Sequence, residues 1–181
     1  MTAAWTVDSS TGTLQVLTGV DGVAARLGHR LTIVMATWRA EVSWGENTPA
    51  AVSVSVDVNS LAVDHGEGGV TPLTVPERVI ARANALKSLS SNRFPIITYD
   101  AKTVEETDTG CRLTGELEIH GRRRDHVVDV VVTDQGDTWD LSGSSQVRQS
   151  DFGIKPYSLM MGSLRVADVV TVTVAASLAK D

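Results

Sequence analysis

At 181 residues with 42% hydrophobic composition, the chain has the material for one domain, residues 1–181, with a sizeable core. Sixteen basic against 22 acidic side chains leave a net charge of −6, which excludes a nucleic-acid surface, since neutralising phosphates needs a basic face. The single cysteine, Cys111, rules out an internal disulfide, and no apolar run approaches the roughly 18 residues of an integral membrane segment.

The opening MTAAWTVDSSTG carries neither the basic nor the apolar region of an export signal, so the expected location is cytoplasmic. Trp5–Val7 and Thr13–Leu17 read as short strands divided by the turn-like Asp8-Ser9-Ser10-Thr11-Gly12. Thr18 to His29 has three glycines and weak periodicity, the pattern of a loop with one helical turn. From Leu31 the alternation places Leu31, Ile33 and Met35 on one parity, then switches to Trp38, Ala40, Val42 and Trp44. A parity change inside one strand predicts a β-bulge between Met35 and Trp38. After a turn at Gly45–Pro49, Val52, Val54, Val56 and Val58 alternate with Ser53, Ser55, Asp57 and Asn59, and this strand is expected to pair with Leu31–Trp44.

Ser60 to Val75 reads as a Gly-rich connector. Thr74-Val75-Pro76-Glu77 is a capping box with proline in the first turn, and predicts a helix over Val75 to about Leu89 that buries Val79, Ala83 and Leu86. Strands follow from Phe94 to about Glu106, then from Leu113 to Thr133, interrupted by Gly121-Arg122-Arg123-Arg124-Asp125 as a polar hairpin loop. Trp139 to Val147 and Leu164 to Val174 supply the last strands. About eight strands and one helix have the proportions of an antiparallel barrel with an inserted helix.

Several short patterns, in order, resemble one family. Trp5-Thr6-Val7-Asp8 fits its aromatic-x-[VI]-D opening. Leu86-Lys87-Ser88 followed by Phe94-Pro95-Ile96-Ile97-Thr98-Tyr99 fits its helix end and next strand. Leu113 to Gly121 fits its v-x-G-x-L-x-[IL]-x-G hairpin strand, with Arg124, Asp129 and Val130 continuing it. Ser150-Asp151-Phe152-Gly153-Ile154 fits S-D-F-G-[IM], and Val166-Ala167-Asp168-Val169-Val170 fits v-x-D-x-V. On these residues the chain resembles the YceI-like polyisoprenoid-binding family. The resemblance implies an all-β, lipocalin-like eight-stranded antiparallel barrel around an apolar tunnel for a polyprenyl phosphate or an isoprenoid quinone. Arg123 and Asp125 stand where the family usually carries Thr and Pro, and Gly28-His29-Arg30-Leu31 fits its pattern poorly.

Small β-branched residues leave lumen space that aromatics, only 4% of the chain, would fill. A prenyl tail suits such a space, because each buried CH₂-sized group contributes roughly 0.8 kcal/mol. The candidate ligand contacts are Val52, Val54, Val56, Val58, Val128 and Val130, together with Trp38, His29 and Phe152. His and acidic residues fall mainly on the parity opposite the valines, which leaves little for catalysis. No cofactor and no metal are expected, although His120 and His126 flank the hairpin loop and a metal pair there is one reading. The Arg122–Arg124 run reads as a solvated hairpin tip or a diphosphate contact, His29 as a structural histidine or a pocket-mouth residue, and Asp151 as a turn cap. The expected function is non-catalytic carriage or sequestration of an isoprenoid lipid or quinone, with a homodimer left open. The alternatives are a filled barrel acting as a structural or stress-related interaction module, and a small-molecule or haem-type enzyme on the same barrel.

Overall fold

The computed structural model describes residues 4–180. Strands β1 (Ala4–Asp8), β2 (Gly12–Leu17), β3 (Val20–Asp21), β4 (His29–Met35), β5 (Trp38–Trp44), β6 (Pro49–Asp57) and β7 (Leu61–Gly68) precede the helix α1 (Val75–Ser88). Behind it come β8 (Ile96–Thr107), β9 (Gly110–Ile119), β10 (Arg122–Asp134), β11 (Thr138–Arg148), β12 (Ser158–Leu159), β13 (Leu164–Val166) and β14 (Val169–Ala179).

These segments merge into eight long staves. β1 and β2 lie end to end along β5 and β4, with Val7 opposite Ala40 and Val16 opposite Ile33. β4 and β5 in turn pair with β7 and β6. Next-neighbour antiparallel pairing then runs β6–β8–β9–β10–β11–β14, and β14 pairs with β2 from Thr171↔Leu17 to Ala176↔Gly12. The ladder therefore returns to its starting stave as a barrel, the arrangement that removes sheet edges. A second, small sheet of β12, β13 and β3 sits apart from the ring.

The β-bulge expected between Met35 and Trp38 is instead a break between two strands, the corner of the bent second stave. The register shifts of that stave lie at Thr32/Ile33 and Ser43/Trp44. Ala36 and Thr37 leave the ladder at the corner, and the opposite stave breaks at the 3-10 turn Val58–Ser60. Ser60 closes both breaks: its carbonyl accepts from Ala36 N–H at 3.2 Å and its hydroxyl oxygen accepts from Thr37 N–H at 3.0 Å. Leu31, Ile33 and Met35 before the corner, and Trp38, Ala40, Val42 and Trp44 after it, all face the barrel interior. The partner differs from expectation. Of the expected Leu31–Trp44 partner, Val52–Val56 pairs only with the β5 part, while β4 pairs with β7, part of the stretch read as a connector.

Three further expectations are corrected. The hairpin between β9 and β10 turns on two residues, His120 (φ 55°) and Gly121 (φ 72°), so the arginines that follow belong to a strand and not to a loop. Two successive positive φ values match the right-handed twist of the flanking strands, which a longer loop need not do. Leu164 to Val174 is two strands with a break at Ala167-Asp168. The helix forms with its capping box as read and Leu86 packs on the core as expected, but Val79 is 64% exposed and Ala83 is also solvent-facing; Ala81, Ala85 and Leu89 complete the packed face in their place. Among the described residues no helix is long and apolar enough to cross a membrane.

α1 lies against β7, the one part of the third stave that β8 does not reach. Arg82 donates from Nε to Leu61 O and from Nη2 to Asn59 O, both at 2.7 Å, and Arg78 donates to Asp64 O at 2.8 Å. The guanidinium groups thus satisfy carbonyls that an uncovered edge would present to solvent or to another chain.

Candidate ligand lumen and its polar wall

The inward parity of the eight staves encloses a cavity of about 1140 Å³. Its wall is mostly aliphatic. Val52, Val54 and Val56 contribute from β6, Val128, Val130 and Val132 from β10, and Val170, Val172 and Val174 from β14. Gly143 lies on the wall between Val174 and Val128, so a larger residue there would project into the space. α1 supplies the α-helical part of the wall, through Glu77, Ile80, Ala81, Asn84, Ala85 and Ser88. At the opposite end the rim includes Trp5 and Trp44, whose rings lie 4.6 Å apart, and Trp139, which carries Lys180 at 4.0 Å over its face. The indole N–H groups of Trp38 and Trp44 are buried without a hydrogen-bond partner.

Among the polar side chains on the wall, which include Thr18, Asn84, Ser88 and Gln149, His126 and Ser145 form a bonded pair. His126 Nε2 lies 2.9 Å from Ser145 Oγ, and the Tyr99 ring meets the imidazole edge-on at 6.0 Å. All three residues line the lumen. Burial pushes the His126 pKa below its ordinary value, so the ring is neutral. Burial also pushes the Tyr99 hydroxyl up to about 12, and that hydroxyl is already committed, donating towards His126 O at 3.0 Å and Leu113 O at 3.2 Å. The Cys111 thiol, also on the wall, is pushed up by burial and then by the Asp129 carboxylate, which keeps it protonated and unreactive.

A match to the YceI-like domain covers residues 5–178. The chain belongs to the YceI-like family. No curated protein matches the sequence. Among solved structures, BcnA of Burkholderia cenocepacia superposes with a TM-score of 0.71 at 16% identity, covering 94% of this chain and 98% of that one. The YceI protein of Campylobacter jejuni superposes with a TM-score of 0.53 at 15% identity, covering 92% of this chain and 81% of that one. At such identities the likeness is one of fold.

The YceI-like signature residues of this chain are mostly fasteners. Ser150 donates its N–H to Asp168 Oδ1 at 2.8 Å and its hydroxyl to Oδ2, which ties the S-D-F-G element to the v-x-D-x-V strand. Those bonds hold the Asp168 carboxyl below its usual range. Asp168 is therefore the carboxylate that caps this turn, in place of Asp151, which is exposed. Gly153 (φ 68°) leaves room for the Arg122 guanidinium, which a Cβ would meet at 2.7 Å.

Of the sequence candidates, Val52, Val54, Val56, Val128, Val130 and Trp38 line the lumen. Val58, His29 and Phe152 do not. Val58 is 1% exposed at the corner turn, and Phe152 is buried beside Ile154 in the core cluster that lies on one side of the barrel. His29 Nε2 meets Thr71 O at 2.7 Å and fastens the loop before α1. The histidines of the hairpin separate: His120 meets Ser90 Oγ at 3.1 Å and Phe152 O at 3.2 Å, while His126 turns inward. No group of three or more metal-ligating side chains occurs among the described residues. Arg123 is bound to Glu118 at 2.6 Å on the outer surface.

His126 was legible as an inward residue. It shares the even parity of Val128, Val130 and Val132, and the rule that histidines oppose the valines fails there. Ser145 likewise shares the parity of Leu141, Gly143 and Val147.

Proposed function

We propose that this protein carries or sequesters one long-chain lipid of the isoprenoid type in its lumen, without transforming it. The observation that supports this is the continuous aliphatic lumen of about 1140 Å³. Well-packed interiors hold few voids larger than a water molecule. A lumen of that size, aliphatic along most of its wall and open at its rims, has the dimensions of a small-molecule site. A filled-core structural module does not need such a space. A flexible hydrocarbon gains burial along its length there. The wall offers no activated nucleophile, because Cys111 is held protonated and Ser145 faces a histidine with no carboxylate partner behind it.

Native mass spectrometry of protein purified from its own host should show a co-purifying prenyl-chain lipid. Val130→Trp places an indole in the lumen and should abolish prenyl-lipid uptake while circular dichroism retains the sheet. Unchanged uptake by a folded Val130→Trp protein would mean that the guest sits elsewhere.

A further inference from the structure

The proposed reading leaves the headgroup open between a phosphate and an uncharged oxygen function. The lining distinguishes them. No arginine or lysine lines the lumen or either rim among the described residues, whereas Glu77, Glu106 and Asp108 do. Glu77 stands at the helix end, where the Thr74 N–H holds its carboxyl below the usual range and therefore ionised. Glu106 and Asp108 stand at the β8–β9 turn, at the other rim.

Several basic side chains of the elements that frame the lumen are engaged elsewhere. Lys180 is paired with Asp134 and lies over Trp139. Arg148 is within 3.7 Å of Asp168, and Arg78 and Arg82 donate to the β7 carbonyls and the adjoining turn. Lys155 is exposed and off the lining. A phosphate or diphosphate at either rim would meet carboxylates and no charge-assisted donor, which is the reverse of how such groups are held.

The interior does hold a site for one neutral oxygen. His126 spends Nε2 on Ser145, and its other ring nitrogen, Nδ1, has no hydrogen-bond partner among the described residues. A neutral imidazole has one donor and one acceptor nitrogen, and the Ser145 hydroxyl can serve either tautomer. Nδ1 can therefore donate to a carbonyl or receive a hydroxyl proton. Immediately around this pair the wall is valine, leucine and the Tyr99 ring, so an oxygen function set against that stretch is unpaired unless it meets the pair.

Resting on the lipid-carrier reading, we infer that the guest is an uncharged lipid, a prenyl alcohol or quinone, whose oxygen is held by His126 and Ser145, and that prenyl phosphates are excluded. The test is displacement of the neutral fluorophore N-phenyl-1-naphthylamine from the unmodified protein by geranylgeraniol and by geranylgeranyl diphosphate, which share one tail. Geranylgeraniol should displace it at a concentration at least tenfold lower. Equal or better displacement by the diphosphate overturns the inference and leaves the lipid-carrier reading standing. Failure of both removes that reading as well. In a second arm His126→Leu, checked for fold by circular dichroism, should weaken geranylgeraniol at least fivefold and leave phytane, the hydrocarbon without the oxygen, unchanged. An equal effect on both guests would mean that His126 shapes the wall without bonding the oxygen, and would overturn the assignment.

Discussion

At the scale of single residues, His126 carries a pH signature. Its folded pKa lies below the unfolded value near 6.5, so the unfolded chain takes up a proton first as pH falls. The group costs nothing above about pH 6.5 and destabilises the fold progressively below it, until the folded pKa is reached. Subtracting the stability–pH curve of His126→Phe from that of the parent should give a line that is flat above pH 6.5 and slopes below it. Parallel curves would place His126 in water. Gly121 is a second such position. Its φ of 72° lies in the left-handed region that favours glycine, and a Cβ would lie 2.6 Å from the Phe94 ring. Gly121→Ala should lose about 1–3 kcal/mol in denaturant unfolding, more than a surface substitution removes.

At the scale of elements, α1 is joined to the barrel more by hydrogen bonds than by burial, since none of its residues is fully buried. Arg82→Met keeps the aliphatic stem and deletes two charge-assisted bonds to the corner and β7, each worth about 1.5–3 kcal/mol when its partner is left unsatisfied. A stability loss of about 2 kcal/mol or more is expected, with faster hydrogen exchange in α1 and β7 than in β9–β11. Uniform acceleration across the sheet would contradict this hinge-like attachment. Elements were legible in the sequence wherever one parity held for several residues, as in Val52–Val56 or Val128–Val132, and wherever chemistry marks an end, as with the Thr74–Glu77 box. β7 escaped because the corner turn at Val58–Ser60 shifts its parity and three of its eight residues are Gly or His. The helix face was misread in part because its core-packed stripe adds Ala81 and Ala85 to Leu86, while Val79, more hydrophobic than either alanine, faces water. The lumen valines could be named as one set. That set could not be told from a packed core, because alternation gives direction and not the distance across to the opposite wall.

At the scale of the whole molecule, a guest that binds only the closed barrel must stabilise it by mass action. At a free concentration one hundred times its Kd the gain is about 2.7 kcal/mol, so the melting temperature should climb steadily with added geranylgeraniol. A Tm that ignores the alcohol would mean that folded and unfolded chains bind it equally. The ring itself sets a further condition. Its final seam joins Thr171–Ala176 to Gly12–Leu17, segments from nearly opposite ends of the sequence. Every other seam of the ring is between staves that follow one another along the chain, so hairpins assemble early while the first and last staves wait with unpaired backbone. During synthesis the nascent chain must hold an open, apolar-faced curl until β14 leaves the ribosome, and such long-range closure is slow. Truncation before Val169 removes β14 and leaves β11 and β2 unpaired, so it should yield a chain prone to self-association through those two edges, and a chaperone or an early-arriving lipid has its largest effect in the interval before β14 emerges.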